Sequence, residues 1–450
     1  MGNCLGCWRD AEQTAESLHI LGADSWTQYN APENKGSADR PGYLASTFYY
    51  YTEALRLVGR GDPLYATILI DLTSALQLNE EGSSRPEVEA LFESLADAQI
   101  LPFDHGQLHI ITANLGGYYE RLWETSLDEM HFERCVANYN NAALHAITGE
   151  DRMNILLAVA ELHIRRKEKS HYEKALEVFS SALSAHPQTV TERYKIAEGM
   201  YEIHKILYDG GRDKAHLESA IAQCGSALDL PLPQERPLRL LFDYVRCVWV
   251  LFDKHEITPI SSGFRMKAIY HGREALQLLS KTPGHSDIKF ELVIALANIL
   301  SFPGADLRPS DFEEALHLYE RAEVIKPMDG NQLGKMGDVV WQHCRRTNNF
   351  DGLEAAIGLF RRAYDLVAEP VRAIIAFKIA TIYLEKAKSD PDLELAREYY
   401  SMAEKDALTE DDKLRFAKLG DDALRLKDLA GVRWPGQRKR PIGRKATMLE

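Results

Sequence analysis

The stretch Ala175-Leu176-Glu177-Val178-Phe179-Ser180-Ser181-Ala182-Leu183-Ser184-Ala185-His186-Pro187 decides the fold. Its small, large and small residues, Ala175, Phe179 and Ala182, fall on one stripe of a helix. Pro187, five residues further on, stops that helix because proline lacks the N–H and clashes with the preceding turn. The same arrangement recurs. Ala54, Ala98, Ala142, Ala182, Ala227, Ala275, Ala322, Ala363 and Ala403 follow one another at steps of 40 to 48 residues. Three places before each stands a large residue in seven cases (Tyr51, Leu95, Tyr139, Phe179, Tyr319, Phe360, Tyr400), with Cys224 and Gly272 as the lapses. Four places earlier again is a mostly small residue: Thr47, Cys135, Ala175, Ala220, Ala268, Ala315, Ala356 or Ala396, with Leu91 as the exception. Self-similarity at ~20 to 50 residues marks stacked helical repeats. Such stacks bind far more often than they catalyse.

A second signature precedes several of these helices: Leu115-Gly116-x-x-Tyr119, Ile196-Ala197-x-x-Met200, Met336-Gly337-x-x-Val340 and Ile379-Ala380-x-x-Tyr383. The small residue lets two helices of a hairpin approach closely. Together the signatures resemble the tetratricopeptide repeat, a helix-turn-helix unit with Leu-Gly-x-x-Tyr in its first helix and Ala-x3-Phe-x2-Ala-x4-Pro in its second. The resemblance covers residues 41 to 428 and departs from the family in spacing. The two small residues are separated by 19 (Gly116 to Cys135), 23 (Ala197 to Ala220), 19 (Gly337 to Ala356) and 16 (Ala380 to Ala396) residues. The family period is ~34, whereas HEAT and armadillo units run ~40 to 47; the second-helix signature favours the tetratricopeptide class. The expected fold is all-α: an α-solenoid of about nine antiparallel helical hairpins, a TPR-like superhelix. Thr409 to Asp428 reads as its polar capping helix, opened by Thr409-x-x-Asp412. The expected divisions are a flexible segment over 1–40, the repeats over 41–428 and a basic tail over 429–450.

The chain has 450 residues, 45% hydrophobic and 27% charged, with a formal net charge of −14. That charge argues against nucleic acid as a partner of the body. No apolar run approaches the ~18 residues of a membrane span, and the N-terminus lacks a signal-type apolar core. Six cysteines give no disulfide framework, and Cys135 and Cys224 occupy packing positions. A cytoplasmic, reducing setting is expected.

The two ends carry their own signals. Met1-Gly2-Asn3-Cys4-Leu5-Gly6-Cys7-Trp8 offers Gly2 for myristoylation and Cys4 and Cys7 for palmitoylation, with Gly6 where the usual motif has Ser or Thr. One acyl chain binds a membrane marginally, so Cys4 and Cys7 would supply the second signal. Acylation would hold the chain on the cytoplasmic face of a membrane as a peripheral protein. The Cys4-x-x-Cys7 pair has no second pair to complete a zinc site, so no metal or other cofactor is expected. Residues 20–42, rich in Gly, Pro, Asn, Asp and Ser, read as a linker. The tail carries Arg433, Arg438, Lys439, Arg440, Arg444 and Lys445 against Glu450. It suits an anionic membrane surface or this protein's own acidic body.

In the tetratricopeptide class the first helix of each hairpin lines the concave surface. The resemblance then implies Glu120, Glu198, Tyr201, Asp338 and Trp341 as groove residues, an acidic surface with aromatic patches for a basic or amphipathic protein segment. Positions that hold a carboxylate clamp of Lys, Asn and Arg in some members are here Gly117, Glu198, Asp338 and Thr381, so that clamp is lacking. There is no His-Glu-x-x-His, P-loop, nucleophile elbow or dinucleotide fingerprint. His163 and His171 read as ordinary polar residues at a loop between hairpins. No catalytic residue and no small-molecule substrate is evident. The sequence is that of a non-enzymatic scaffold or adaptor; the alternative is a helical-toroid hydrolase using a carboxylate pair.

Overall fold

A computed structural model of the chain describes residues 14–77, 104–185, 187, 189–231, 237–255, 259–281, 284–302, 308–386 and 390–430. Every regular element among them is helical. Two compact units are present, Met1–Glu235 and Arg236–Glu450.

The first unit contains α1 (Ala15–Asn30), α2 (Arg40–Leu57), α3 (Pro63–Gln77), α4 (His105–Ser126), α5 (Glu129–His145), α6 (Gly149–Arg165), α7 (Lys169–Ser184), α8 (Val190–Gly211) and α9 (Lys214–Asp229). The second contains α10 (Leu238–Lys254), α11 (Pro259–Lys281), α12 (Ser286–Ser301), α13 (Pro309–Ile325), α14 (Gly330–Thr347), α15 (Leu353–Leu366), α16 (Val371–Lys386), α17 (Asp390–Asp406) and α18 (Glu410–Ala430). Successive helices pack as hairpins: α1 with α2, α4 with α5, and so on to α16 with α17. Leu91, Leu95, Ala98 and Pro102, expected in the helix after α3, lie outside the described residues, as do Gly2, Cys4, Cys7 and the basic tail.

Local chemistry sets the helix ends. Thr14, Asp104, Thr189 and Asp329 each accept from the backbone N–H three residues on, and the residue there reaches back in a reciprocal cap. Inside the hairpins the turn is made by a left-handed residue, Leu127, Lys167, Arg212 or Asn348, at φ of 55 to 57°. An N-cap such as Asp128 or Asp213 follows at once. The expected capping helix is α18, whose start is fixed by the Asp412 N–H donating to Thr409 Oγ1 at 3.1 Å.

The repeat positions form the core. Ala54, Ala142, Ala182, Ala227, Ala275, Ala322, Ala363 and Ala403 have no exposed surface, and neither have Thr47, Cys135, Ala175, Ala220, Ala268, Ala315, Ala356 and Ala396. In five described hairpins the aromatic between them is seated on a glycine of a neighbouring helix, while Tyr319 instead donates its hydroxyl to Asn298 at 2.5 Å. Tyr51 covers Gly22, Tyr139 covers Gly116 and Phe360 covers Gly337, each within its own hairpin; Phe179 covers Gly199 and Tyr400 covers Gly420 of the following helix. At Gly272, where the aromatic is missing, Leu296 and Val245 move in, 3.0 and 3.4 Å from where a Cβ would stand.

The stretch 20–42, expected to be a linker, is largely helical: it is the end of α1, a short 3-10 turn over Pro32–Asn34 and the start of α2. Gly22 and Gly36 look like linker glycines in sequence. Yet Gly22 is the seat of Tyr51, and Leu18 and Tyr29 of α1 are buried. The helical hairpins therefore begin before residue 41.

The seating predicts an asymmetry between two glycines. At Gly116 a Cβ would stand 2.5 Å from the Tyr139 ring. That ring cannot swing away, because its hydroxyl donates to Glu120 at 2.8 Å. Gly116→Ala is expected to cost about 1–3 kcal/mol, as overpacking does. Gly358→Ala, in α15 with nothing within 4 Å of the added carbon, is expected to be neutral or to gain about 1 kcal/mol. Denaturant unfolding of both variants checks this.

Candidate binding face on the first helices

Neighbouring first helices of each unit are joined by polar side chains about one repeat apart in sequence. In the first unit, Asn114 of α4 reaches Thr73 and Ser74 of α3 at 3.2 and 3.0 Å. Glu120 and Glu124 of α4 together grip Arg165 of α6, with Glu124 at 2.5 Å. The guanidinium also stands over the Trp123 ring, 5.6 Å from its centroid. Burial works against the Arg165 charge, but the two carboxylates outweigh it and raise its pKa above the ordinary range.

In the second unit, Asp338 of α14 accepts from Lys378 Nζ of α16 at 2.6 Å. Its pKa is raised, because burial outweighs Lys378 and Lys335. The Trp341 indole N–H donates to Glu385 of α16 at 2.9 Å, and Arg345 approaches the same carboxylate at 3.5 Å. Lys335 reaches Asp253 of α10 at 2.8 Å and lies over the Trp249 ring, 4.1 Å from its centroid.

Of the five expected groove residues, Glu120, Glu198, Asp338 and Trp341 are half-buried on first helices. Tyr201 is not a groove residue: it is fully buried in the core of the first unit, with Lys205 above its ring at 5.5 Å. Glu198 accepts from the Tyr194 hydroxyl at 3.1 Å. The expectation of an acidic groove needs correcting as well. Glu120 and Asp338 are carboxylates already matched by cations of this chain, so the face is charge-compensated where those residues lie. Lys335, Asp253 and Trp249 were not singled out in the sequence. Lys335 and Asp253 are 82 residues apart, two repeats, and no local pattern joins them.

The histidines also differ from expectation. His163 and His171 are buried within one hairpin, with their Nδ1 atoms 2.9 Å apart and the Phe132 ring edge-on to both. His204 and His216 repeat the arrangement in the next hairpin at 3.1 Å. Among the described residues no cluster of three or more His, Cys, Asp or Glu is placed to hold a metal ion. Cys135, Cys224, Cys247 and Cys344 are buried and form no disulfide. No helix among the described residues is long and apolar enough to cross a membrane.

No protein-family model matches the sequence, and no curated protein matches it. Among solved structures the chain is similar to a tetratricopeptide repeat protein from Parabacteroides merdae, at 15% identity, covering 67% of this chain and 98% of that one, with a TM-score of 0.30. It is also similar to yeast Tom70, at 13% identity, covering 94% of this chain and 91% of that one, with a TM-score of 0.31. At those scores neither superposition bears on function, and the fold rests on the helix pairs and their packing.

Burial, His171 and Lys174 lower the His163 pKa from 6.5 to about 4. Burial, Lys174 and Arg166 lower that of His171 against the opposing pull of Glu168 and Glu129. The unfolded chain therefore binds protons that the folded chain refuses. Stability is fully present above pH 6.5 and falls as the pH drops toward 4. His163→Gln is expected to flatten that dependence, measured as denaturant unfolding free energy at steps between the two pH values.

Proposed function

We propose that this chain is a non-catalytic scaffold or adaptor that takes up a peptide or helical segment of a partner protein along its first helices. The observation that carries this reading is the second-unit face of α14. Lys335, Asp338, Gln342 and Arg345 share one stripe of that helix. None of the four is buried, and the half-buried Trp341 stands beside them. A half-buried indole whose N–H is held by Glu385, standing among paired charges, supplies contact area and orientation to an incoming chain. The rigid core of small residues behind it holds that surface in shape before binding, which lowers the ordering cost of association.

The same reading places the protein in the cytoplasm, held at a membrane by acylation of Gly2 with Cys4 or Cys7 adding a second chain. The six basic residues of the tail would then lie against anionic lipid.

A photo-reactive amino acid at position 342 tests the binding face, with one at exposed position 317 on α13 as control. Partner adducts are expected from 342 and not from 317, and Trp341→Ala should reduce them about tenfold, a loss of about 1.4 kcal/mol. Equal adducts from both positions, or none from 342, would discard the reading. Intact-mass measurement of the full chain with a Gly2→Ala control tests the anchor separately.

A further inference from the structure

The second unit holds the same three-part device twice. In the first copy, Trp249 and Asp253 stand one turn apart on α10, and Lys335 of α14 lies over the indole while its ammonium bonds the carboxylate at 2.8 Å. In the second, Trp341 donates to Glu385 of α16, and Arg345 lies 5.7 Å from the indole centroid while pairing with that carboxylate at 3.5 Å. An indole face beside a carboxylate is a seat for a cation, by ring quadrupole and by charge. Each seat is filled from within the chain.

We propose that Trp249–Asp253 and Trp341–Glu385 are two cation subsites for Lys or Arg side chains of a partner's basic segment, occupied in the free protein by Lys335 and Arg345. This deepens the reading of the first-helix face and rests on it. The occupying side chains are poorly secured. Arg345 is 55% exposed and Lys335 37% exposed, and ion pairs of such exposure hold weakly. Both occupants are long side chains that regain freedom when they let go. Asp253 keeps a second cation, Lys254 at 2.9 Å, when Lys335 leaves. Burial raises the Asp253 pKa, but the two ammonium groups outweigh it and hold it below the ordinary range, so the carboxylate stays charged for an incoming cation.

The rise between the two occupants suggests a spacing for a test ligand. Lys335 and Arg345 are ten residues apart on α14, a rise of about 15 Å. An extended segment covers that distance in about four to five residues. A peptide with two basic side chains at that separation is the probe matched to the occupants, whose seats lie toward α10 and α16. The Asp338–Lys378 pair, which lies between the two occupants on the α14 stripe, leaves no third vacancy for charge.

The test is a fluorescence-monitored titration of the full chain with the capped peptide Gly-Arg-Gly-Ser-Gly-Arg-Gly. Lys335→Gln combined with Arg345→Gln is expected to bind it about tenfold more tightly than the unmodified chain, about 1.4 kcal/mol. Asp253→Asn with Glu385→Gln on that background should remove the gain, and citrulline in place of both arginines should remove binding. No gain in the double variant with its helical spectrum intact, or a gain that survives Asp253→Asn with Glu385→Gln, overturns the subsites. Photo-adducts from position 342 that persist in Asp253→Asn with Glu385→Gln would leave the binding face standing and overturn only its cationic ligand.

Discussion

The seating of one aromatic ring on one glycine is the contact on which the rest depends. A second helix presents a large side chain between two small ones, and a first helix presents a bare backbone to receive it. In the first unit Tyr51, Tyr139 and Phe179 land on Gly22, Gly116 and Gly199; in the second, Phe360 and Tyr400 land on Gly337 and Gly420. The ring binds either to its own hairpin or to the next helix, so one contact type both closes a hairpin and stacks it. Where the second helix lacks the ring, at Gly272, the partner helices supply the bulk instead. Close packing tolerates the exchange because total volume is kept.

Fixing the helices in this way fixes what their outer side chains can meet. Bonds with sequence separations of 39 to 44 recur: Glu124–Arg165, Arg273–Glu314, Glu323–Arg362, Asp338–Lys378, Trp341–Glu385 and Tyr364–Asp406. Each joins equivalent helices of consecutive hairpins. The exposed members contribute little to stability singly. Their consequence is electrostatic: in a chain with net charge −14, Glu120 on α4 and Asp338 on α14 are already matched by cations, whereas Glu198 on α8 accepts from the Tyr194 hydroxyl. At those two carboxylates an incoming cation would have to displace one already held by the chain.

The repeats were legible because burial of Ala and aromatic positions writes a period into composition. Eight of the nine alanines fall in described helices, and all eight are fully buried. The first hairpin's leading helix was not legible, because Ser25 stands where the second large residue after Leu21-Gly22 would be, and Pro32, Gly36 and Pro41 suggested a linker. Of the binding face, the backbone positions were legible and the partners were not. Asp338 could be placed on a first helix, and the signature aligns Met336-Gly337 with Ile379-Ala380, but alignment does not say that Lys378 is the side chain that meets it. Tyr201 failed for a related reason. At the register where Glu120 and Trp341 are half-buried, Tyr201 of α8 is fully buried although Glu198 three places earlier is not, and amphipathic pattern alone does not tell a half-buried ring from a buried one.

The long period has a structural use. The family unit is ~34 residues, and the steps here reach 48; part of the surplus is helix, since α4 and α8 each have 22 residues and α11 has 23. The small–large–small core spans only two turns, so the added turns extend past it toward the tips and need their own closure. In the first unit a histidine three places after the N-cap closes the tip in three consecutive hairpins, two of them built on the 22-residue helices α4 and α8. His131 bonds Ser126, His171 bonds His163 and His216 bonds His204. A neutral imidazole both donates and accepts, so it can close a tip against a hydroxyl or another imidazole without carrying charge into the stack. In the hairpin of α6 and α7 burial holds both imidazoles below the ordinary range, so that clasp stays uncharged until the pH falls.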